Sequence, residues 1–373
     1  MSQTRSSAPP GRASLDRATI EMATLVVHYP AARGRVVLRG NVSPTDWDRD
    51  TPPITVDGDT SVFRLPVSMG QTVEVKPFRV GENGAPGKWA MGRNVILAAR
   101  DVIEMWPTFE RDTGELLPWH DVSVPGAEPL SVRVMLPPGY REHTSTAHDV
   151  IYAVDGQALW SDQHDPFGVW GLDHRLDELW RLGVLDDVIL VSIRTAEGRL
   201  EKLGPCPDRS HAGGCGLDFL RGITDVLVPE VDASYRTRRD PDGRGLLGAS
   251  MGGLFSLFGA WRRPDVFGNA ICLSSSFWWA DRALVKEVQL GQAPAKRPKI
   301  YLDSGATSSP FEEDRNLRDG HHHTRAMMRA LMELGWEREK DLHVLAFAGD
   351  LHDASAWGAR VTIPLQLFFP SKC

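Results

Sequence analysis

The chain predicts an all-β domain followed by an α/β domain built on a mainly parallel sheet. Three observations carry this. The first third holds only short apolar or alternating runs separated by Gly, Pro, Asn and Asp clusters. From about residue 130 the pattern changes to alternating strand-like and helix-like segments. Most later strand-like runs are almost continuously apolar, as strands covered on both faces must be.

In the first domain, ATLVVHYP, GRVVLRG, SVFRLPV, QTVEVKPFRV and NVILAA read as strands. The turns between them are NVSPTDWDRDTPP, VDGDT and GENGAPGKW. Short strands at this spacing predict an immunoglobulin-like β-sandwich over 19–125. Residues 1–18 are polar and rich in Pro, Gly and Ser, and are expected to be a disordered tail. The second domain, 126–373, offers SVRVMLP, DVIYAV, DVILVSI, GLLGAS, NAICLS, KIYLDSG and HVLAFAG as strands. Helix-like segments between them are LDHRLDELWRLG, LDFLRGITDVLVPEVDASY, MGGLFSLFGAWRR, HTRAMMRALMELG and SAWGARVTIPLQLFF. The boundary is expected in ELLPWHDVSVPGAEP.

Composition narrows the function classes. The 373 residues carry a net charge of -7, which argues against nucleic acid or an anionic membrane as partner. No 18-residue apolar run and no signal-type apolar core occurs, so the expectation is a cytoplasmic protein with no membrane partner. The four cysteines form no CxxC pair, which argues against structural zinc, and no metal or cofactor is expected. Cys206 and Cys215 bracket a short loop and would be a disulfide pair under oxidant, whereas Cys272 reads as a buried thiol.

The chemistry concentrates at Gly248-Ala249-Ser250-Met251-Gly252, a G-x-S-x-G run between a strand and a helix. A serine on such a sharp turn is the nucleophile elbow of the α/β-hydrolase fold. The two glycines admit the close strand–helix approach, and the Met251 N–H at the helix start would donate to an oxyanion. The fold's chain order is Ser, acid, His. His352 follows the last strand and is the expected base. His343 lies within that strand, and His321, His322 and His323 open a helix as a solvated start. The acid should follow the strand KIYLDSG; Asp303 on that strand's end competes with Glu312, Glu313, Asp314 and Asp319 beyond it, and Glu313 is narrowly preferred. Gln157, in the loop after DVIYAV, is the expected second oxyanion donor. Trp160, Trp278 and Trp279 follow strands at the sheet's carboxyl edge and would line the substrate, with core packing an equal alternative.

The combination of VDGQALW, LLGASMGGL, SSSFWW, LDSG and a His loop running into a Trp-bearing helix resembles the enterochelin esterase group of the esterase D-like α/β hydrolases. The resemblance covers most of the chain. It implies cofactor-free hydrolysis of a small-molecule ester, in the siderophore esterases a ferric catecholate trilactone opened inside the cell. Ser250 and His352 fall on the family's nucleophile and base positions. One departure is the loop Gly349-Asp350-Leu351-His352-Asp353, where the family often has a Gly-Gly-His-Asp-Trp type. Two alternatives stay open: a carbohydrate esterase of feruloyl or acetyl type, with Trp47, Trp89 and Trp106 as a sugar platform, and a silent binding protein. Acyl transfer to an alcohol instead of water shares the first half-reaction.

Overall fold

The computed structural model describes residues 19–81, 85–211, 213–305 and 320–371. The chain divides into two compact units, one of residues up to 107 and one from 108 onward, with 91–93 joining the second.

The first unit holds β1 (Ile20–His28), β2 (Val36–Gly40), β3 (Thr55–Asp57), β4 (Thr60–Ser68), β5 (Thr72–Arg79), β6 (Lys88–Trp89), β7 (Val95–Ala98) and β8 (Val102–Met105). One sheet runs β3-β4-β1-β8; the other runs β2-β5-β6, with β7 also on β5. Apart from the parallel β1–β8 pair, neighbours are antiparallel. Alternation sets the register: Ala23 lies opposite Leu65 and Leu25 opposite Phe63, all buried.

In the second unit, β9 (Glu115–Leu116), β10 (His120–Val122), β11 (Leu130–Leu136), β12 (Val150–Val154), β13 (Ile189–Ile193), β14 (Arg244–Ala249), β15 (Asn269–Leu273), β16 (Lys299–Gly305) and β17 (Leu342–Phe347) form one mixed sheet. The order is β10-β11-β13-β12-β14-β15-β16-β17, with β9 also on β11. From β13 to β17 all neighbours are parallel, and β9–β11 supply the antiparallel end. The expected boundary at 125/126 therefore moves to 107/108. Strands of two and three residues carry too little apolar pattern to be read, so β9 and β10 went unseen.

The helices are α1 (Leu172–Leu182), α2 (Arg199–Leu203), α3 (Gly216–Arg221), α4 (Val228–Ser234), α5 (Met251–Arg262), α6 (Trp279–Leu290), α7 (His321–Glu333), α8 (Ala354–Arg360) and α9 (Thr362–Phe368). A π-helical turn, Gly222–Leu227, joins α3 to α4. Strand period two splits the core in two. Val150, Tyr152, Val154, Leu246, Ala270, Cys272, Ile300 and Leu302 pack on one side with residues of α3–α7. Ile151, Ala153, Leu247, Ile271, Leu273 and Tyr301 pack on the other with residues of α1, α8 and α9. Cys272 is fully buried, and that burial, with Asp303 nearby, pushes its thiol pKa well up. Helix α6 is an addition to the sequence reading. It opens on three left-handed residues, Ala280–Arg282, and buries only Leu284, Val285 and Val288 beyond its first residue, a weak periodic signal.

Candidate functional site

The site grows from the end of β14. Ser250 takes φ 57° and ψ -118°, a region L-residues rarely occupy. Its N–H donates to Leu273 O at 2.9 Å, and its carbonyl accepts the Leu254 N–H of α5 at 3.0 Å. Gly248 has no room for a side chain: a Cβ there would stand 2.4 Å from the carbonyl carbon of Gly252. The strand and helix thus meet backbone to backbone, leaving Ser250 at the apex. The Met251 N–H belongs to the first turn of α5, where N–H groups lack intrahelical acceptors.

The loop after β17 brings His352 to this apex. Its Nε2 lies 3.0 Å from Ser250 Oγ. The ring stands edge-on to Trp357 of α8, with centroids 4.9 Å apart and planes at 89°. Asp353 caps α8, its carboxylate accepting the Ala356 N–H at 2.9 Å. Ser250 and His352, 102 positions apart in the chain, are the pair the sequence singled out.

The other flank is the turn after β12. Asp155 is left-handed at φ 59°, and its carboxylate takes two 2.7 Å bonds from Arg199 and one from the Thr195 hydroxyl. The Gln157 side-chain oxygen accepts the Thr195 N–H at 3.2 Å. A Cβ on Gly252 would lie 3.1 Å from Asp155 Oδ2, which sets this turn against the start of α5. Gly156 packs tightly as well: a Cβ there would lie 3.0 Å from the Trp119 ring and 3.1 Å from the Ile193 backbone, so those neighbours would have to give way by a few tenths of an ångström. Asp155, Thr195 and Arg199 were not among the residues singled out from sequence. Only their place beyond the ends of β12 and β13 could have suggested them.

Asp303 ends fully buried on β16. One oxygen accepts the Ser274 N–H at 2.9 Å; the other accepts the Tyr301 hydroxyl at 3.2 Å and lies 3.4 Å from Arg360 Nε. Arg360 also donates to Ser274 Oγ at 2.6 Å and to Asp350 at 3.3 Å. Glu312, Glu313, Asp314 and Asp319 lie outside the described residues.

The expected aromatic wall is redistributed. Trp160 is fully buried and donates its indole N–H to Ser192 Oγ at 3.0 Å; a ring held inside the core cannot line a substrate. Trp279 is 2% exposed and donates to Cys206 O at 2.8 Å, so it too is core. Trp278 alone of the three is open, at 39% exposure. Of the histidine run only His322 is exposed as a solvated helix start would be; His321 and His323 are half-buried. His321 Nδ1 lies 2.8 Å from Ser304 Oγ, and His323 Nδ1 accepts from Arg282 Nε at 2.9 Å. Burial, then His322 and Arg282, lowers the His323 pKa to about 4. His343 packs edge-on to Phe368. Among the described residues no group of His, Cys, Asp and Glu could hold a metal ion. Cys206 and Cys215 are free thiols. No helix among the described residues is long and apolar enough to cross a membrane.

The esterase family described as "Putative esterase" matches residues 126–363. This chain belongs to that family. It is a carboxylic ester hydrolase of the enterochelin esterase-like group, on an α/β-hydrolase-type fold. The uncharacterized protein YbbA of Bacillus subtilis is 26% identical over 215 residues, 55% of this chain and 79% of that protein. The iron(III) enterobactin esterase of Escherichia coli is 29% identical over 103 residues, spanning only 26% of each chain. The enterobactin esterase of Shigella flexneri, solved in the presence of 2,3-dihydroxy-N-benzoyl-glycine, shares the fold with a TM-score of 0.52. It is 16% identical, covering 95% of this chain and 94% of that one.

Proposed function

We propose that this esterase hydrolyses a siderophore of the enterochelin trilactone type, or a related aromatic ester, through a Ser250 acyl-enzyme with His352 as base. The observation that carries the mechanism is the 3.0 Å approach of His352 Nε2 to Ser250 Oγ at a strained strand–helix apex. As Oγ attacks the ester carbonyl, His352 takes the hydroxyl proton and returns it to the departing alcohol. Water then enters, gives its proton to His352 and releases the acid and Ser250. The N–H groups of Met251 and Gln157 hold the oxyanion; one such donor is worth ~3 kcal/mol of transition-state stabilisation. Glu313 orients His352. In support, Asp303, the rival on the strand itself, is engaged by Ser274, Tyr301 and Arg360. Trp278 is the exposed ring offered to an aromatic acyl group.

The substrate class leans on the named enterobactin esterases, and the reaction is placed in the cytoplasm. The two sheets of residues 19–107 are read as the immunoglobulin-like sandwich. One observation favours the carbohydrate esterase as a second reading. Trp47 and Trp89 lie 6.1 Å apart beside Phe78, and Trp89 is 39% exposed, as a sugar platform would be. Trp106 is not part of that group; it stacks on His28 at 4.5 Å.

The test is turnover of p-nitrophenyl butyrate, a ferric catecholate trilactone and methyl ferulate by wild type and Ser250→Ala. We expect the trilactone to be preferred and the variant to lose at least ~10³-fold in kcat on every substrate. Preference for ferulate favours the second reading. Turnover retained by Ser250→Ala, or a Ser250 inert to a fluorophosphonate, overturns the serine mechanism.

A further inference from the structure

Ser250 Oγ has a second neighbour that the mechanism above leaves unused. Ser276 Oγ lies 3.2 Å away. Ser276 is 3% exposed and sits just beyond β15, the strand beside β14. Its N–H donates to Ser250 O at 3.0 Å, while Ser250 N–H donates to Leu273 O at 2.9 Å. Two backbone bonds therefore hold the hydroxyl pair together from both sides. The neighbouring serines are turned elsewhere. Ser274 Oγ accepts from Arg360, and Ser275 Oγ is buried against Gly253.

Proton count fixes the direction of the Ser276–Ser250 bond. A serine hydroxyl carries one hydrogen. When His352 acts as base, its bare Nε2 accepts the hydrogen of Ser250. The hydrogen between the two hydroxyls must then come from Ser276.

We infer that Ser276 is a further catalytic residue: its hydroxyl donates to Ser250 Oγ and stabilises the negative charge gathering there. The inference rests on the reading of Ser250 and His352 as nucleophile and base. As His352 withdraws the proton, charge builds on Oγ until the Oγ–carbon bond forms. A hydrogen bond to an ionised oxygen is shorter and roughly twice as strong as one to a neutral oxygen. At 3.2 Å the pair is longer than an ordinary hydroxyl bond, so it has room to tighten in the transition state. Deacylation uses the same donor in reverse. When the second tetrahedral adduct collapses, the carbon–Oγ electron pair returns to Oγ, and His352 gives the proton back. Ser276 keeps its own proton throughout.

The experiment compares Ser276→Ala, Ser276→Thr and Ser276→Val by burst kinetics on p-nitrophenyl butyrate and by fluorophosphonate labelling rate. Ser276→Ala should lower acylation, deacylation and labelling each by about tenfold, the worth of one charge-assisted hydrogen bond, with KM within about twofold. Ser276→Thr should restore the rates; Ser276→Val, equal in shape without the hydroxyl, should not. Wild-type rates in Ser276→Ala, or equal impairment in the Thr and Val variants, overturn the inference. If Ser276→Ala does not fold, the Thr and Val pair decides alone. Turnover retained by Ser250→Ala removes the nucleophile reading itself. A dead Ser250→Ala beside an unimpaired Ser276→Ala removes only the role of Ser276.

Discussion

At Ser250 the chain stores backbone strain, and glycine is what makes the strain bearable. A conformation of this kind costs of order 1–3 kcal/mol and persists only where its surroundings enforce it. The enforcement here is the close backbone packing of Gly248 on Gly252, where a Cβ on Gly248 would stand 2.4 Å from the Gly252 carbonyl carbon. Gly248→Ala should therefore push strand and helix apart, lowering stability by ~2 kcal/mol or more and depressing turnover. Chemical denaturation and kcat on p-nitrophenyl butyrate check both. His148 carries a separate residue-scale expectation. Its ring is 2% exposed and bonds through Nδ1 to Asp187 O at 2.8 Å. Burial, above all, brings its pKa down from the ordinary 6.5 to about 4. Between these values the unfolded chain binds the proton more readily than the folded one. Stability should be full above pH 6.5 and fall toward pH 4, by at most ~1.4 kcal/mol per pH unit from this group. His148→Asn should flatten that part of the profile, read as denaturation midpoints at pH 4.5, 5.5 and 7. The Ser250 and His352 pair was legible because a motif and a chain order point to it. Ser276 was only part of a string, SSSFWW, since nothing in three consecutive serines says which one meets the nucleophile.

The element that presents His352 is a loop, and a loop needs anchoring to hold the proposed base against Ser250. Arg360, 3% exposed on α8, reaches back to Asp350 in the same loop and across to Asp303 of β16 and Ser274 beyond β15. One guanidinium thus ties the His-bearing segment to the edge of the sheet. Breaking a buried ion pair from one side leaves a charge uncompensated and costs ~3–5 kcal/mol. Arg360→Ala should lose about that much stability. Its kcat should fall while KM stays near wild type, because the base is displaced and the substrate surface is not. Denaturation and steady-state kinetics on the same preparation separate the two effects. The sequence marked this helix by its apolar face but not its arginine, which reads as an ordinary charged residue at a helix end. The same limit hid α6, whose left-handed first turn breaks the helical period.

The two units follow different rules of layering, alternation in the first and doubly covered strands in the second, and the join between these patterns was placed too late. The stretch 108–125 belongs with the second unit because β9 and β10 complete the open edge of β11. A fragment starting at 108 should remain free of aggregation and unfold cooperatively. One starting at 126 should expose the β11 edge and aggregate. Size-exclusion chromatography and thermal melts of the two fragments check this.

By itself the sequence determined the change from short alternating strands to alternating strands and helices and the esterase chemistry, and it pointed to Ser250 and His352 as the pair proposed here as nucleophile and base. All of these are written in local signals: hydrophobic period, a glycine-flanked serine before a helix, and a histidine after the last strand. The tertiary structure decided what no local signal encodes. It put Trp160 and Trp279 into the core and left Trp278 open. It bound Asp303, at the end of its strand, into a buried polar cluster with Ser274, Tyr301 and Arg360. It set Ser276 against Ser250 across two neighbouring strands. Each of these depends on which strands become neighbours, and strand order is fixed by packing across the whole sheet, not by any one segment.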